Sequence, residues 1–191
     1  MITITLQQIE AHNPCVSGWT KVLRANGGAN ADRTQPFALA SVLDSNDLAD
    51  TLWCLRCLPE YDAVWRLYAV WCARQVQRLM ADQRSIRALN VATDYALGQA
   101  TRTELAAAVD AAYAARTDAA RTDAAYAAAD AADATAAYAA AAAAYAAADA
   151  DAADATRTAA DAATRKKQAD MIRRVLNADA PLDEIKAALN V

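Results

Sequence analysis

The sequence predicts an all-α protein, and three observations carry that expectation. From Glu104 to Leu176 the chain has neither glycine nor proline, and its middle is mostly alanine, the best helix former. Proline and glycine elsewhere fall where helices would start or stop. No alternating strand pattern extends beyond the first few residues. The expected architecture is a compact, Trp-rich helical domain over 1–100, then a very long alanine-rich helix or helical hairpin over 101–178. A short C-terminal helix over 179–191 completes it.

Met1–Thr5 reads as a short extended lead, after which Thr5 can cap a helix beginning LQQIE. Pro14 suits the first turn of a helix through CVSGWTKVLRAN, which Gly27-Gly28 would end. After a polar loop, PFALASVL predicts another short helix, and Ser45-Asn46-Asp47 caps LADTLWCLRCL. Pro59 opens the longest apolar helix, through EYDAVWRLYAVWCARQVQRLM. Arg66 is its only charge between Ala63 and Ala73, so this helix should be central. RSIRALNVATDYALG should end at Gly98, and Thr101 or Thr103 caps the tract, with Glu104 in its first turn. Pro181 starts the last helix, whose Leu182, Ile185 and Leu189 share one face.

An unbroken helix from Glu104 to Leu176 would be roughly 110 Å long, so the tract is a rod or a folded hairpin. At about 100° per residue, Asp118, Asp123, Asp130, Asp133, Asp151, Asp154 and Asp161 fall within roughly 160° of one another. Tyr113, Tyr138 and Tyr145 fall within roughly 40° on the other side. Asp110, Asp149 and Tyr126 break this pattern. A phase kept from 113 to 161 favours one continuous helix; a break would fall near Asp149–Asp154, where aspartates can cap. The alanine face allows close helix approach, but each methyl buries little, about 0.8 kcal/mol per carbon group. It therefore needs a partner along its length: the N-terminal half, a second copy of the chain, or a foreign surface.

The net charge of −4 is unevenly placed. Residues 1–100 carry nine basic and nine acidic side chains, and residues 101–191 carry ten and fourteen. Nucleic-acid binding by the tract is disfavoured, because phosphates would be repelled. Met1–Glu10 has no basic and apolar leader pattern, and no apolar run reaches the length of a membrane span. The expected location is cytoplasmic, with four free thiols.

His12 and Cys15, with Cys54 and Cys57, have the number and softness of zinc ligands. However, the Cys54–Cys57 pair falls inside an apolar helix, where cysteines are ordinary small hydrophobes. No cofactor is expected. Arg56, Arg66, Arg74 and Arg78 lie along the most apolar helices, with Glu60 and Asp62 nearby. The plain reading is structural ion pairing. The sharper one is a cavity bordered by Trp53, Trp65, Tyr68 and Trp71, suited to a phosphorylated, base-containing small molecule. On the tract, Arg116, Arg121 and Arg157, with Tyr138 and Tyr145, are candidate contacts for a partner, set against surface solubility and intrahelical pairing. Arg165, Lys166, Lys167, Arg173 and Arg174 complement the dipole at the tract's C-terminal end. With one histidine and no nucleophile elbow, P-loop or dinucleotide glycine pattern, the chain is not expected to be an enzyme.

The run Ala88-Leu89-Asn90-Val91-Ala92-Thr93-Asp94-Tyr95-Ala96-Leu97-Gly98-Gln99-Ala100-Thr101, then Glu104-Leu105, joins a Trp-rich head to the alanine tract. In this it resembles alanine-rich helical proteins of phages and bacteria, some of them labelled immunity proteins. The resemblance implies a small cytoplasmic, non-catalytic protein that neutralises a toxin or a host defence. Such a protein would mask a host or toxin protein, or sequester a small signalling nucleotide, and a homo-oligomer is expected. The alternative is a structural rod whose alanine face self-associates. Ice binding is a minor alternative, since Thr117, Thr122, Thr135, Thr156, Thr158 and Thr164 keep no regular ruler.

Overall fold

The computed structural model describes residues 1–80, 82–118 and 154–191, without the side chains of 116–118 and 154–160. Most of these residues are helical, and the described strands are two residues each. The chain divides into two compact units: Met1–Tyr61 with Ala169–Glu184, and Asp62–Gln168 with Ile185–Val191. The segments expected above follow composition; these units follow packing.

In the first unit, β1 (Thr3–Ile4) pairs antiparallel with β2 (Phe37–Ala38), Thr3 opposite Ala38 and Ile4 opposite Phe37. Ile2 and Ile4 point inward and Thr3 outward, as strand alternation requires. The ladder corrects the helix expected from Pro36 onward. Phe37 and Ala38 extend to meet β1, and α3 starts only at Ser41 (Ser41–Ser45). Thr5 caps α1 (Leu6–Glu10) in a reciprocal box with Gln8. Cys15 caps α2 (Val16–Ala25), which Gly27 leaves at φ 108°. Asp47 caps α4 (Leu48–Cys54), whose end tightens into a 3₁₀ turn over Leu55–Cys57. Cys57 therefore lies beyond the α-helix, and not inside one as the apolar pattern suggested. The Ile2 amide bonds the Leu176 carbonyl at 2.7 Å, tying the extended lead to the end of α8 (Asp154–Asn177).

The second unit is built on α5 (Asp62–Arg74), α6 (Gln83–Ala96) and α7 (Arg102–Asp118). α5 starts three residues later than expected, after a 3₁₀ turn at Pro59–Tyr61. It also ends earlier, because the Gln75 and Val76 amides switch to carbonyls three residues back. Gly98 turns the chain after α6 at φ 74°, and Thr101 and Glu104 form a reciprocal cap on α7. Val70 meets Ala88 and Ala92 of α6 and Leu105, Ala108 and Ala112 of α7, with Tyr113 against the same cluster. Alanine at the crossing lets these helices approach closely. The end of α9 (Pro181–Leu189) contributes Leu189.

Ala112 packs in the cluster that holds Val70, and the Gln168 carbonyl accepts a 3.1 Å hydrogen bond from Tyr68, two residues earlier on α5. The rest of the tract, with Arg121, Tyr138 and Tyr145, lies outside the described residues.

Candidate functional site: a charged cleft on three helices

A cleft of about 440 Å³ opens where α5, α6 and α7 meet. Arg66 comes from the one charged position in the apolar run of α5 and is only 8% exposed. A guanidinium so buried needs compensation. Its Nη2 lies 3.3 Å from Asp62 Oδ2, one turn earlier, and its guanidinium carbon sits 4.8 Å from the centre of the Tyr95 ring. Tyr95 reaches it from the last turn of α6.

α7 supplies the other wall. Arg102 and Asp110 both line the cleft, two turns apart, with Leu105, Ala106 and Val109 between them. Neither Arg102 nor Asp110 makes a hydrogen bond or ion pair among the described residues, whereas Asp62 is engaged by Arg66. Among the described residues the cleft balances two guanidinia against two carboxylates around a short apolar strip, and its lining has no histidine, cysteine, serine or threonine. It is equipped to hold a ligand with one anionic end and one hydrogen-bond-donating end.

Comparison with family models, curated proteins and solved structures finds no match.

The expected cavity is gathered only in part. Trp65 is buried, and Tyr68 is fully buried with its hydroxyl committed to Gln168. Trp71 stacks on Tyr68 with ring centres 6.3 Å apart. None of the three lines the cleft. Arg74 donates to Gln77 Oε1 at 3.2 Å and Asn90 Oδ1 at 3.0 Å, and burial pulls its pKa below the usual guanidinium value. Arg56, in the first unit, covers the Trp53 ring at 4.8 Å and donates to that residue's carbonyl. Arg116 and Arg157 lie on α7 and α8, with side chains outside the description.

Tyr95, Arg102 and Asp110 were not among the expected site residues. The available signal was Asp110, whose phase departs from the acidic arc of the tract.

The candidate zinc ligands fare differently. Cys15 and Cys54 line one small apolar recess with Trp19 and Trp53, while His12 Nδ1 faces the Gln8 carbonyl at 3.0 Å. Burial pushes the Cys54 thiol up to about 12 and Cys57 up to about 11, which disfavours the thiolate a metal needs. Among the described residues no three His, Cys, Asp or Glu side chains are grouped to hold a metal. No described helix is long and apolar enough to cross a membrane.

Proposed function

We propose that this chain is a non-catalytic binding protein of the immunity or counter-defence kind, acting by sequestering a small phosphorylated, base-containing ligand. One observation carries the reading: Arg66 and Arg102 line a single cleft beside the Tyr95 ring and an unengaged carboxylate. Guanidinium groups recognise phosphate, and the apolar strip offers a surface for a flat base. Masking of a protein partner is the other form of the same function. Self-association of the alanine face is less favoured for α7, whose Ala108 and Ala112 are already buried against α5 and α6.

Native mass spectrometry of the protein, gently purified after exposure to its natural host's lysate, tests the reading. A retained mass in the nucleotide range supports sequestration, and a retained protein supports masking. A bare oligomer sinks both and favours the rod.

With this function goes a finer reading of the fold, in which the alanine tract is a helical hairpin. Spin labels at the exposed positions Ala107 and Lys167, in a Cys15→Ser background, report on it directly. A hairpin gives a short distance; a rod gives roughly 90 Å.

A further inference from the structure

We infer that the cleft discriminates between purines, and that Asp110 selects guanine. The inference rests on the sequestration reading and adds the identity of the base. Arg102 and Asp110 stand eight residues apart on one helix, so their backbones are separated by roughly 12 Å along its axis. Both border the same cleft, and neither has a partner among the described residues. Leu105, Ala106 and Val109 lie between them as an apolar strip, the surface on which the face of a base and its sugar can rest.

The orientation follows from charge. A phosphate goes to Arg102 and is excluded from the Asp110 end by repulsion. The base then meets Asp110. An ionised carboxylate offers acceptors only. Guanine presents two adjacent donors, N1–H and the N2 amino group, which a carboxylate can accept side by side. Adenine presents an unprotonated N1 beside its amino group, and that lone pair faces the carboxylate unfavourably. Asp62 cannot serve the base equally well, because its Oδ2 is held by Arg66.

Isothermal titration of the full chain with guanosine, adenosine and xanthosine monophosphates, at low salt, tests this. Guanosine monophosphate should bind at least about tenfold more tightly than adenosine monophosphate. Asp110→Asn places an amide donor opposite the base and should move the preference to xanthosine monophosphate, whose C2 carries an acceptor. Asp110 is exposed, so the variant should keep the parent's melting temperature. Arg102→Ala should weaken all three ligands without changing their order. Equal binding of guanosine and adenosine monophosphates, still weakened by Arg102→Ala, overturns the base assignment and leaves the cleft as a phosphate site. An unchanged preference in Asp110→Asn overturns it as well. No binding of any of the three overturns both the inference and the sequestration reading.

Discussion

The Tyr68 hydroxyl donates a 3.1 Å hydrogen bond to the main-chain carbonyl of Gln168, one hundred residues further along the chain. Both residues are buried, so neither group can turn to water instead. Tyr68→Phe should destabilise the protein by about 1–2 kcal/mol, because the Gln168 carbonyl loses this donor in a dry setting. Urea unfolding measures it as a lower midpoint. An unchanged midpoint would mean that the contact contributes nothing to docking α8.

The buried thiols set an alkaline limit. Burial raises Cys54 and Cys72 to about 12 and Cys57 to about 11, against an ordinary 9.0, and the buried Tyr68 phenol also moves up. The folded values lie above the unfolded ones, so the stabilisation is fully present below pH 9.0 and is lost as pH rises toward 11 and 12. Melting temperature should fall steadily through that window. In the native protein at neutral pH, a thiol reagent should modify the exposed Cys15 rapidly and the other three only on unfolding.

Gly98 sits at φ 74° between α6 and α7, with open space where a Cβ would stand. Gly98→Ala should cost about 1 kcal/mol through backbone strain alone. Gly98→Asn should cost less, since asparagine tolerates the left-handed region. Equal stability of all three proteins would show that the turn relaxes.

At the crossing of α6 and α7, Ala112 is fully buried. Ala112→Leu should overpack it and destabilise by about 1–3 kcal/mol. A neutral result would show that α7 can move away from α6.

Arg173 holds Asp44 through two hydrogen bonds, at 2.7 and 3.2 Å, and these lower the Asp44 pKa below its ordinary 3.8. This contribution is present above that ordinary value and is lost as pH falls through the lower folded one. Both side chains are largely exposed, so Asp44→Asn should cost under about 1 kcal/mol and less still in high salt. A large cost, insensitive to salt, would contradict a surface pairing.

Local chemistry made the helices legible. Thr5, Asp47 and Thr101 cap where capping residues should, and Gly27 and Gly98 take the positive φ that ends a helix, because these are interactions among near neighbours. Phe37 and Ala38 escaped that reading, since their ladder with Thr3 and Ile4 comes from thirty-odd residues away and outweighs a weak local preference.

The candidate site was legible only in its ingredients. Arg66 stands out as the lone charge in an apolar run, and the sequence alone marks it as needing compensation. That Tyr95 covers it, that Arg102 and Asp110 face the same cleft, and that Tyr68 is used up inside the core were decided by the α5–α6–α7 crossing. The alanine tract makes the same division. Composition determines that it favours helix, because alanine's preference is local. Whether its ends are far apart or share one unit depends on contacts between residues such as Ala112 and Val70, which phase along a single helix cannot contain.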